Sequence, residues 1–90
     1  MRFAIITKDK DGALQVRLDT RPDHIAYLKE TGVVEMAGPF LNEEGQMHGS
    51  LIVIDVADYD AARAWAENDP YAKAGLFEKV RIEAWNKVIG

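Results

Sequence analysis

Gly49-Ser50-Leu51-Ile52-Val53-Ile54-Asp55-Val56 holds four consecutive large apolar residues with no polar alternation. Neighbouring side chains in a strand point to opposite faces of the sheet, so this run presents apolar surface to both. Each face of the sheet at such a strand needs a cover.

Working outward, Asn42 to His48 is polar and contains Gly45, which suits a hairpin back to a strand at Val33-Val34-Glu35-Met36-Ala37 that Gly38-Pro39 closes. Ahead of it, Thr20-Arg21-Pro22-Asp23 reads as a helix start. The Thr hydroxyl can cap free amides, Pro is tolerated in the first turn, and Asp sits at the capping-box position. That helix is predicted to run to about Thr31, with Gly32 as its stop, and Ala13 to Leu18 forms a separate short helical piece. Arg2 to Thr7 is rich in Phe and Ile and leads into turn-forming Asp9-Lys10-Asp11-Gly12, a first strand. On the other side, Asp58 can cap a helix whose apolar positions Tyr59, Ala62, Trp65 and Ala66 recur at helical spacing until Asp69-Pro70 ends it. A last strand, Glu78 to Trp85, alternates Val80, Ile82 and Ala84 with Arg81, Glu83 and Trp85.

The order strand, helix, strand, strand, helix, strand predicts an α+β, ferredoxin-like βαββαβ fold with an antiparallel sheet, one domain over residues 1–90. Two helices of this length cover one face only. The simplest cover for the other face is the same sheet from a second copy, a two-fold homodimer. Each Leu or Ile left in water there would forfeit about 1.5 to 3 kcal/mol, a large part of a small domain's stability.

With 48% hydrophobic and 29% charged residues the chain has the makings of a globular protein rather than a disordered one. Its 15 acidic residues outnumber its 11 basic ones, which works against nucleic-acid and anionic-membrane partners and favours small molecules or proteins. It has no cysteine, so disulfides and thiolate chemistry are excluded, and a reducing, cytoplasmic setting is expected. The first apolar stretch is too short for a signal peptide, and none is long enough for a membrane span. His48 lies in the polar hairpin, and no His-Glu-x-x-His helix, Cys-x-x-Cys pair or Gly-rich phosphate loop is present, so no metal or other cofactor is expected.

Two residues stand out for chemistry. His24 falls in the predicted first turn of its helix at the edge of the stripe formed by Ile25 and Leu28, where it can face a pocket. The plainer reading is a half-buried histidine bonded to backbone. Asp69, at the predicted end of a helix, opposes the helix dipole and calls for a tertiary partner, the plainer reading being an Asp-Pro turn. Together they would form a dyad in which the carboxylate fixes the imidazole tautomer and leaves the other nitrogen free to move a proton. Their separation along the chain says nothing of distance in space. Around them, Gly38-Pro39 can let backbone approach a ligand, Ser50 can offer a hydroxyl, and Arg21 can hold a carboxylate or phosphate. No Gly-x-Ser-x-Gly elbow surrounds Ser50, so it is not read as a nucleophile. Trp65 and Tyr71 read most simply as core or interface aromatics, and Tyr71, next to Asp69-Pro70, joins the candidate substrate-binding set.

Arg21-Pro22-Asp23-His24, Ala37-Gly38-Pro39, Gly49-Ser50, and Asp69-Pro70-Tyr71 followed by Ala74-Gly75 resemble, in order and spacing, the YCII-related (YciI-like) proteins along essentially the whole chain. The resemblance implies a dimeric α/β barrel of ferredoxin-like subunits and a pocket whose active-site His and Asp fall on His24 and Asp69. Some relatives remove hydrogen chloride from chlorinated lactones, and many have no assigned reaction. Three functions follow as expectations. The first is a cofactor-independent lyase- or isomerase-like enzyme using the His24-Asp69 dyad on a small organic substrate. The second is a small-molecule binding or regulatory module without turnover, and the third an interaction domain with a vestigial pocket.

Overall fold

The computed structural model describes residues 1–90. Its elements are β1 (Arg2–Asp9), α1 (Leu14–Thr31), β2 (Val34–Leu41), β3 (Met47–Asp55), α2 (Tyr59–Glu67), the short α3 (Pro70–Lys73) and β4 (Phe77–Ala84). The four strands form one antiparallel sheet in the order β2-β3-β1-β4, with the apolar strand β3 inside it. This is the α+β, ferredoxin-like arrangement.

Directly paired residues share a face of the sheet, so the register sorts the side chains. Phe3 pairs with Ile54 and Ile5 with Ile52, and this face packs on Ala62, Trp65 and Ala66 of α2 to make the core. Continuing along the same face of β1, Thr7 and Asp9 are also buried, and Thr7 pairs with Ser50. One side of one strand thus passes from hydrocarbon to buried polar groups. The candidate site lies at that polar end.

The opposite face has no helix on it. Ile6 pairs there with Leu51, both half-buried, while Met36 and Phe40 of β2 are exposed alongside. Toward β4 the same face turns charged, with Lys79, Arg81 and Glu83. No helix of the chain is long and apolar enough to cross a membrane.

Three local expectations are corrected. The piece at Ala13 to Leu18 and the helix expected from Thr20 are one continuous helix, α1, with Pro22 inside it and Ala13 at its N-cap. Pro22 and Leu18, the residue whose carbonyl loses its amide partner, are both exposed, and Arg17 pins the first half of the helix to the sheet. Strand β2 runs through Gly38-Pro39 to Leu41 instead of closing there. It is an edge strand, where a missing N–H need not break a ladder. Asp69-Pro70 does not end α2, whose C-cap is Asn68. Asp69 instead N-caps α3, its carboxylate accepting from the Tyr71 amide, so the expected clash with a helix dipole does not arise.

Gly32, with φ 68°, does cap α1 in the left-handed region, and Asp58 caps α2 by accepting from the Ala61 amide at 2.8 Å. Gly49 is glycine for a different reason. A methyl group there would run into the carbonyl oxygen of Thr7 on the neighbouring strand.

Candidate active site

Arg17, Arg21, His24, Ile25 and Leu28 recur at three- and four-residue steps, which places them on one side of α1 above the polar end of the sheet. Between this side of α1, Ala37-Gly38-Pro39 of β2, Met47, Ser50 and Ile52 of β3, and Tyr71 of α3 lies a cavity of about 140 Å³. A cavity of about 150 Å³ is enough to admit a benzene ring. The space therefore suits a small organic molecule.

His24 and Asp69 converge at its wall, both buried. The His24 Nδ1 is 2.8 Å from Asp69 Oδ1. A carboxylate only accepts, so Nδ1 is the donor; in the neutral ring Nε2 is then the acceptor nitrogen, and it has no partner in the chain. Every side-chain nitrogen and oxygen sealed from solvent has a partner, so Nε2 reaches open space. The imidazole stacks on the Tyr71 ring at 3.8 Å between centroids and 16° between planes, which fixes its orientation. Tyr71 is itself 2% exposed.

A second buried polar group shares the cavity. Arg17 is held by Asp9 in a two-pronged contact, Nε to Oδ2 at 2.7 Å and Nη2 to Oδ1 at 3.0 Å, and Nη2 also donates to Ser50 Oγ at 2.9 Å. Thr7 Oγ1 accepts from the Ser50 amide, closing the network onto β1. The Arg17 guanidinium carbon lies 4.8 Å from the Tyr71 ring centroid. Neither Arg17 nor Asp9 is among the candidates read from the sequence.

A YCII-related domain profile matches residues 1–86. The chain belongs to the YCII-related family. It is 35% identical to Protein YciI of Escherichia coli O6:H1, an alignment covering 98% of this chain and 99% of that one. It is 30% identical to an uncharacterized protein of Haemophilus influenzae over the same shares. Among solved structures it resembles 5-chloro-2-hydroxyhydroquinone dehydrochlorinase from Burkholderia phenoliruptrix, in complex with 2,5-dihydroxybenzoquinone. That match has 36% identity and TM-score 0.86 and covers 96% of this chain and 94% of that one. An antibiotic biosynthesis monooxygenase matches at TM-score 0.62 and 10% identity, a likeness of fold alone.

In this YCII-related chain the residues singled out from the sequence gather around one space. His24, Arg21, Gly38, Pro39, Ser50 and Tyr71 line the cavity, and Asp69 stands behind His24. Arg21 is exposed and has no acidic partner, so it adds uncompensated positive charge to the cavity. Gly38 meets nothing that a Cβ would displace, so its place in the wall does not rest on being glycine. His48 lies outside the cavity, its ring near that of Phe40. Burial raises the Tyr71 phenol above its ordinary value; Arg17 and Arg21 pull it partly back, and Asp69 and Asp9 add to the rise. Tyr27, whose hydroxyl donates to the Trp65 carbonyl, is raised first by burial and then by Asp69.

Proposed function

We propose that this protein is a cofactor-independent lyase- or isomerase-like enzyme in which His24 transfers a proton to or from a small ring-sized substrate and Asp69 orients it. The observation that carries this reading is the buried pair itself, one imidazole nitrogen tied at 2.8 Å to a carboxylate and the other left free. Positioned proton transfer of this kind contributes about 10² to 10⁴-fold to a rate. The likeness to a dehydrochlorinase supports elimination of hydrogen chloride as the first reaction to try. In that step a proton on the substrate passes to Nε2 of His24 while chloride departs with the electron pair of the C–Cl bond.

We further propose a homodimer that pairs the two open sheet faces as a dimeric α/β barrel. The half-buried Ile6 and Leu51 and the exposed Met36 and Phe40 support it, because they form an apolar face that no helix of the chain covers. Gly38 and Pro39 border both this face and the cavity, so the second copy would back the wall of the site. The expected setting is the cytoplasm.

The test is to incubate the purified protein with 5-chloro-2-hydroxyhydroquinone, without added metal or cofactor, and to follow chloride release. Release above the spontaneous rate supports the enzyme. A compound that binds and is recovered unchanged supports the alternative, a small-molecule binding or regulatory module.

A further inference from the structure

We infer that the cavity selects a small planar organic anion, and that Arg17, held in place by Asp9, is the group that grips its negatively charged oxygen. This rests on reading the cavity as a small-molecule site, and not on His24 moving a proton.

Of the five nitrogen–hydrogen bonds of a guanidinium, Arg17 spends those of Nε and Nη2 on Asp9 and Ser50. Its Nη1 has no partner in the chain, yet no side-chain nitrogen sealed from solvent is left unpaired. Arg17 is 3% exposed and borders only this cavity, so Nη1 opens into it. The Tyr71 hydroxyl is in the same position, on a ring 2% exposed, with no partner and no other cavity to face. Ser50 Oγ accepts from Arg17, which leaves its own hydrogen free to donate into the same space.

Three donors, from Nη1, the Tyr71 hydroxyl and the Ser50 hydroxyl, therefore border one small cavity that Ile25, Leu28 and Pro39 also line. Unpartnered donors beside apolar side chains in a space this small match a flat molecule that ends in an oxyanion, such as a carboxylate or the enolate oxygen of a ring. Asp9 balances the Arg17 charge inside the protein, and Asp69 behind His24 offsets Arg21 in number, but only the two arginines line the cavity while both carboxylates stand behind other side chains. The raised phenol of Tyr71 keeps that group a donor at neutral pH, consistent with the same role.

The probe pair is benzoate and benzamide, alike in size and shape and different in charge, titrated into the full-length protein by calorimetry. Wild type is expected to bind benzoate at least about tenfold more tightly than benzamide, as one charge-assisted contact requires. Removing Arg17 alone would strand Asp9 in the interior, so the diagnostic variant is Asp9→Asn with Arg17→Gln, which deletes both charges together. With its fold verified by circular dichroism, that variant is expected to bind the two probes within about twofold of each other. His24→Ala is expected to keep the benzoate preference while losing turnover, which separates this inference from the catalytic one. Equal binding of the two probes by wild type, binding of neither, or a preference that survives in the double variant would overturn it.

Discussion

Oδ1 of Asp69 accepts from both the His24 ring and the Tyr71 amide, so a single oxygen positions the imidazole and starts α3. The two roles separate by substitution. Asp69→Asn keeps an oxygen able to cap α3 and is expected to unfold within about 1 kcal/mol of wild type, whereas Asp69→Ala loses the cap and strands a buried ring N–H, at a cost of about 2 to 3 kcal/mol in urea unfolding. Equal stability of the two variants would show that the cap contributes nothing. Tyr71 gives a pH prediction. Its folded-state phenol titrates above its unfolded value of about 10, so the stability it contributes is complete below that pH and is lost as pH rises through the folded value. Tyr71→Phe is expected to flatten the fall in unfolding free energy above about pH 10, and an unchanged slope would contradict the assignment. At this scale the sequence was legible for His24 and Asp69 as types and places, but not for their contact, since 45 positions separate them. Arg17 and Asp9 escaped notice because Asp9 reads as the first residue of a turn. Counting by twos from Phe3 through Ile5 and Thr7 places it on the buried face.

The largest misreading was of an element. Helix α1 buries Arg17 and His24 on the side that meets the sheet, so the apolar periodicity that marks most helices is missing from its first half. Pro22 and the preceding Thr20 then imitate a helix start. The two readings differ in a measurable way. In a helix beginning at Thr20, proline at residue 22 would sit in a favoured first-turn position, and replacing it would gain nothing. In the continuous helix it is interior and exposed, so Pro22→Ala is expected to raise unfolding free energy by about 1 to 3 kcal/mol, offset in part by the extra freedom of the unfolded chain. No gain would argue for a break. The helix α2 was legible from Asp58 and its Tyr59, Ala62, Trp65, Ala66 spacing because its buried side is apolar. Strand β2 looks shorter in the sequence than it is because Gly38-Pro39 signals a turn in most contexts. Only its place at the sheet edge, which no local pattern encodes, lets the strand continue.

For the whole molecule, the unalternating run Leu51 to Ile54 announced both the buried strand and the uncovered face, and the sheet order follows from the sequence of elements. The proposed second copy would supply a cover over Ile6, Met36, Phe40 and Leu51. Leu51→Glu is expected to shift a dimer of wild-type chains to monomers in sedimentation, and wild type already monomeric at micromolar concentration would contradict the barrel. Because Gly38 and Pro39 lie between that face and the cavity, the monomeric variant is also expected to bind ligand more weakly. The claim on which the function depends is that His24 moves a proton with Asp69 behind it. Its most direct test is chloride release from 5-chloro-2-hydroxyhydroquinone, compared as kcat/KM among wild type, His24→Ala and Asp69→Asn under conditions where all three are folded. A wild-type rate above background that falls by about 10² to 10⁴-fold in His24→Ala and clearly in Asp69→Asn is the expected result, and variants as active as wild type would contradict it.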